Sequence, residues 1–245
     1  MMNCTRLAAS TLALVTASPL LAQDNVEVLA RWNYSTLYTS GWSVENMFDV
    51  TEVIDANGEA IGDVENVVFS DEGKVLGLIA EVGGVWDIGD THIHIPWEEV
   101  EMGDTVEQAM VPVTEETIDQ YDVFDDDWLD EGTITQADTD ATEPVDDDLA
   151  AGPNIFKATD LIGDYAHLSD GVRYGYIADI IVEDGAIGAL VTDAATYGRR
   201  GYFAYPYDYG GVSPATGPRY DMPYTAQELD TIENFDYEQL QSRSD

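Results

Sequence analysis

Between residues 60 and 97 the apolar positions fall in three short bursts. Ile61, Val64, Val67 and Phe69 mark the first. A β-branched and aliphatic run over 75–82 is the second, and Ile93, Ile95 and Trp97 close the third. Bursts of this length, rich in β-branched residues, read as strands rather than helices. Turn formers punctuate them: Asn57-Gly58, whose residues tolerate positive φ, then Ser70-Asp71-Glu72-Gly73, then Gly83-Gly84. The pattern predicts a small antiparallel β-meander over 57–97. Beyond it, residues 110–113 extend again. Thr114 then caps a short helix over 115–123, with Glu115 and Glu116 at the positive end of its dipole and Ile118, Tyr121 and Phe124 on its buried stripe.

The same design returns later in the chain. Gly58, Gly62 and Gly73 answer to Gly171, Gly175 and Gly185, and Val64 and Val67 to Ile177 and Ile180. Leu78-Ile79 matches Leu190-Val191, and Ile95-Pro96-Trp97 matches Tyr205-Pro206-Tyr207. Val111-Pro112-Val113-Thr114 matches Met222-Pro223-Tyr224-Thr225. Ile118, Tyr121 and Phe124 match Leu229, Ile232 and Phe235, and Thr225 with Glu228 forms a capping-box pattern. An offset of about 110 residues is far longer than a solenoid repeat, so the chain is a tandem of two domains.

These residues resemble a PRC-barrel pair. The family's pattern is a D/N-G turn, an I-G-x-V strand, a second glycine turn, an aliphatic run and a late I-P-W-like strand. It stands here as Asn57-Gly58, Ile61-Gly62-Asp63-Val64, Gly73, residues 75–79 and Ile95-Pro96-Trp97. The second copy keeps Asp170-Gly171 and Gly175-Tyr176-Ile177, but has Tyr174 for the isoleucine and Tyr205-Pro206-Tyr207 for the late strand. The resemblance implies a mainly β fold: two small PRC-barrel-like domains, each ending in a short helix. Known members include the H subunit of purple bacterial reaction centres and a ribosome maturation factor. There the domain docks rather than catalyses. The resemblance therefore implies a binding module and transfers no functional residue.

Composition sets the rest of the organisation. The 245 residues are 44% hydrophobic, which suits a globular core, but 49 acidic against 9 basic residues give a formal charge of −40. Such a field repels nucleic-acid phosphates and anionic lipid, and its even spread along the chain fits adaptation to salt. Residues 1–22 read as a signal peptide, with Arg6, an apolar region over 7–17 and cleavage after Ala22. Cys4, the only cysteine, precedes that region, so the mature chain is expected to hold no disulfide and no thiolate site. A periplasmic or secreted product without a transmembrane anchor follows. Residues 23–41 form an N-terminal lead, either an arm on the first domain or a tail. The first domain spans 42–124 and the second 153–241. Between them, 125–152 carries Asp runs at both ends and few apolar residues, which predicts an acidic flexible linker.

Two stretches carry candidate chemistry. His92 and His94 alternate on one strand with Asp90 two positions back, either as a three-ligand metal site or as a solvent-facing stripe opposite Ile93 and Ile95. Residues 197–209 (YGRRGYFAYPYDY) hold a basic doublet among tyrosines. Arg199, Arg200, Tyr202, Tyr205 and Tyr207 form either a partner-docking patch or a hairpin packed on itself. His167 reads as structural. No catalytic motif stands out, and no cofactor is expected. The sequence thus suggests a non-enzymatic adaptor or docking module in the bacterial cell envelope, with an envelope protein as partner. The alternative is a periplasmic metal- or small-ligand-binding protein using the His92/His94 strand.

Overall fold

A computed structural model describes residues 26–83, 91–103, 105–114, 116–121, 155–208, 211–212 and 219–240. The leader, Asp90, Phe124 and the linker at 125–152 lie outside these. The fold is mainly β, in two sheets that repeat one plan. In the first copy, β2 (Glu52–Ile54), β3 (Ala60–Ser70), β4 (Val75–Val82) and β5 (Thr91–Pro96) form the antiparallel meander, and β6 (Glu101–Met102) and β7 (Gln108–Met110) follow. The order is β5-β4-β3-β2-β7-β6, with β7 parallel to β2. In the second copy, β9 (Tyr165–His167), β10 (Arg173–Glu183), β11 (Ala186–Asp193), β12 (Tyr202–Pro206) and β13 (Arg219–Asp221) are ordered β12-β11-β10-β9-β13, with β13 parallel to β9.

Register confirms the internal repeat residue by residue. Leu78 pairs with Ile95, and Leu190 with Tyr205. Val53 pairs with Gly62, and Ala166 with Gly175. Both long strands, β3 and β10, break register twice at matching places, after Val64 and Val68 and after Ile177 and Ile181. These bulges bend each long strand. The glycine of the I-G-x-V pattern has a packing reason in both copies. A Cβ on Gly62 would lie 1.9 Å from the Glu81 carbonyl oxygen, and one on Gly175 would lie 2.2 Å from that of Asp193.

The two copies are not beads on a string. β1 (Trp42–Ser43) comes before the first sheet in sequence, yet pairs with β10 of the second, Ser43 against Ile181. β8 (Ile155–Lys157) comes before the second sheet, yet pairs with β3 of the first, Lys157 against Val68. The exchange is reciprocal, as in a two-fold interface between like subunits. Polar hooks repeat it. The Asp179 carboxylate accepts from Ser43 Oγ (2.6 Å) and from the Glu45 N–H (3.0 Å) at the start of α2 (Val44–Val50). Asn66, its counterpart on β3, donates to Thr159 Oγ1 (2.8 Å) beside β8. The two hairpin turns also pair, Val75 N–H with Gly185 O (2.9 Å) and Ile187 N–H with Gly73 O (2.8 Å). One hydrophobic core runs through both copies, from Leu37 and Met47 through Phe69 and Phe156 to Ile181 and Phe235.

Two local expectations are revised. The N-terminal lead packs on the second copy rather than the first. Trp32 Nε1 donates to Ala204 O (2.9 Å), Tyr34 Oη to Glu233 O (2.7 Å), and α1 (Ser35–Ser40) lies against β10. The first domain closes not with an α-helix but with a 3-10 turn at Ile118–Tyr121, where the Thr117 hydroxyl accepts from the Thr114 N–H (2.9 Å). The second copy does end in a short helix, α3 (Ala226–Leu229). Its capping box is formed, with Glu228 accepting from the Thr225 N–H (2.8 Å).

Candidate functional site

The basic doublet divides. Arg199 turns inward: its guanidinium donates to the hydroxyls of Tyr174 (3.0 Å) and Tyr205 (3.2 Å) and to the carbonyls of Leu229 (2.7 Å) and Ile232 (3.0 Å). It also lies 3.9 Å above the Phe203 ring. The reason is chemical. Tyr174 and Tyr205 stand where the first copy has Ile61 and Ile95, and all four side chains are buried. Two buried hydroxyls need partners: they bond each other (2.6 Å), and Arg199 donates to both. Burial, the largest influence, raises the pKa of both tyrosines despite the nearby guanidinium. Arg200 remains exposed, and Tyr202 is exposed but packs edge-on against Tyr237. Tyr207 binds the other copy: its hydroxyl donates to Asp71 O (2.6 Å), and its ring covers Gly73, as Trp97 covers Gly185. Of the five residues, three therefore serve the fold from inside.

The histidine strand is engaged as well. His92 Nε2 lies 2.7 Å from the Glu65 carboxylate on β3. His94 is buried with its imidazole over Gly77, where a Cβ would meet Nε2 at 2.4 Å. Burial pushes its pKa down to about 4, against the opposing pull of Glu98. The stripe is therefore not solvent-facing. Among the described residues no three His, Cys, Asp or Glu side chains converge as a metal site, and Asp90 lies outside them.

An open groove of about 470 Å³ is lined by Ile54, Asp55, Asn57, Glu99, Glu101 and Met110. Two of its acids are occupied. Asp55 accepts from the N–H groups of Asn57 and Glu59 (both 2.8 Å), which shapes the Asn57-Gly58 turn. Burial would raise its pKa, but these donors outweigh it and hold the value below the usual one. Glu99 accepts from Tyr121 Oη (2.8 Å).

The exposed feature that sequence reasoning missed lies on the outer face of β10, β9 and β13. Register sets Asp193, Tyr176, Tyr165 and Arg219 in one row and Arg173, His167 and Asp221 in the next. The Tyr165 and Tyr176 rings pack with centroids 4.6 Å apart, and Tyr176 Oη donates to Tyr165 Oη (3.1 Å). The Arg173 guanidinium lies flat on Tyr165, 3.4 Å from its centroid. Arg219 is paired with Asp221. Arg173 has no carboxylate partner among the described residues. At the matching positions the first copy is different. There Glu81, Asp63, Glu52 and Gln108 form the row, all exposed. Comparing the copies outside their shared motif would have revealed the contrast, because Tyr165 and Tyr176 replace Glu52 and Asp63.

Residues 49–116 match the family model of the PRC-barrel domain. The first copy is a PRC-barrel domain. The matched span runs from the end of α2 through β7 and takes in the glycine turns and the Ile95-Pro96-Trp97 strand. No curated protein matches the chain. The second copy repeats the PRC-barrel plan in strand order and register. Among the described residues no helix is long and apolar enough to cross a membrane.

Proposed function

We propose that the protein is an exported, non-enzymatic docking module of the cell envelope, built on a tandem PRC-barrel frame. The observation that carries this reading is the exposed Tyr165–Tyr176–Arg173 surface on the second copy. Tyrosine and arginine are enriched at interfaces, because they combine large contact area with directed donors. The guanidinium is pre-positioned on an aromatic ring, so little conformational freedom remains to be lost on binding. The apolar segment at 7–17 supports export, and the acidic shell argues against nucleic acid and anionic lipid as partners.

Capture from the periplasmic fraction of intact cells tests this reading. Crosslinking through a photoreactive residue at Tyr176 should yield a discrete adduct that disappears in Arg173→Glu. Equal adduct formation from that variant would show that the surface is not the docking site.

A further inference from the structure

The two outer faces occupy matching places on one plan but differ in charge and hydrogen-bonding chemistry. On the second copy, Tyr176 donates to Tyr165 at the surface. Arg173 adds a guanidinium with no carboxylate partner among the described residues, and Val172 beside it is exposed. The acids on that face are Asp193, opposite Tyr176, and Asp221, which Arg219 pairs. On the first copy, Glu52, Asp63 and Glu81 lie directly opposite one another across β2, β3 and β4. Ionised carboxylates only accept. Like charges in direct cross-strand register repel, and these three have no ion pair among the described residues. A face of this kind gains from a donor-rich cover. Strand spacing is common to both sheets, so rows of donors and acceptors share one repeat of about 4.8 Å.

We propose that the Tyr165–Tyr176–Arg173 face of one molecule docks on the Glu52–Asp63–Glu81 face of a second copy. This rests on the reading of the tyrosine–arginine surface as a docking site, and names the partner. The contact is heterologous: it joins two different faces and leaves one of each free on the pair. Such contacts grow into rings or open chains rather than stopping at a dimer. Charge complementarity sets the register, while the −40 charge of each copy opposes approach. Salt screens that long-range repulsion before it weakens contacts within the interface, since the Debye length falls from about 10 Å at 0.1 M to about 3 Å at 1 M. Association is therefore expected to strengthen as ionic strength first rises, the reverse of ordinary charge-steered binding.

Sedimentation of the full chain across concentration and salt tests the proposal with two blocked variants. Arg173→Glu reverses the donor face, and Glu52→Lys/Asp63→Lys reverses the acceptor face. All three sites are exposed, and circular dichroism verifies that each variant is folded. The wild type should show masses that climb with concentration. Each variant alone should associate at least about tenfold more weakly. An equimolar mixture should associate more strongly than either variant alone, because each variant keeps the one face the other has lost. A wild type that stays monomeric throughout, or association indifferent to both variants, overturns the proposal. Crosslinking at Tyr176 separates the two readings. An adduct with a foreign protein beside a monomeric wild type removes the self-association and leaves the docking surface standing.

Discussion

Single residues explain why the two copies are not interchangeable. Arg199 serves Tyr174 and Tyr205, so removing it takes a charged donor from their paired hydroxyls and from the carbonyls of Leu229 and Ile232 inside the second copy. Arg199→Met should lower stability by about 2–4 kcal/mol in denaturant titration, whereas Arg200→Ala should stay within about 0.5 kcal/mol. Asp179 is the other decisive residue. It is fully buried, and burial pushes its pKa up to about 6 from 3.8, although Ser43 and the N–H groups of Glu45 and Ile180 favour the ionised form. A raised carboxyl pKa means that the folded state binds the proton more tightly than the unfolded one. This group thus adds stability as pH falls from above 6 towards 4, on the order of 2–3 kcal/mol. His94 acts oppositely over nearly the same range, because its lowered pKa makes the fold lose stability on acidification. The clean measurement is therefore a difference. Asp179→Asn should remain folded, as Asn66 shows that an amide can hold the matching hook, and should gain less stability than wild type between pH 7 and 4.5. An identical pH slope in the two proteins would contradict this assignment.

At the level of elements, the meander, its turns and its repeat were legible from sequence, because glycine spacing and aliphatic runs are dictated locally. Gly62 and Gly175 show how direct the link is: a carbonyl of the neighbouring strand occupies the space of a side chain. Alanine at either site should cost roughly 1–3 kcal/mol by forcing strands apart, read as a lowered midpoint in thermal melts. The exchange of β1 and β8 was not legible. A two- or three-residue strand carries no periodicity, and which sheet it joins is decided by long-range packing. The Arg199 doublet was misleading for a related reason. Composition marked 197–209 as unusual, but could not say that the tyrosines at Ile-equivalent positions point inward and draw one arginine after them. The tyrosine–arginine face escaped notice because its meaning lies in the contrast with Glu52 and Asp63 of the first copy.

The whole molecule is a PRC-barrel domain and its structural repeat fused through reciprocal strands, turns and hooks into one core, wrapped in an acidic shell. Self-repulsion across a charge of −40 should make stability rise with ionic strength, so the melting temperature should climb between about 0.1 and 1 M salt. A flat response would mean that the acids are neutralised in another way. The fused body holds the tyrosine–arginine face at a fixed place relative to the acidic row of the first copy. The measurement that tests it most directly is cleavage at a protease site inserted within residues 125–152, followed by sizing under native conditions. Reciprocal pairing of β1 with β10 and of β8 with β3 predicts that the cut halves stay together as a one-to-one complex and melt in a single transition. Halves that separate on cleavage and melt independently would contradict it.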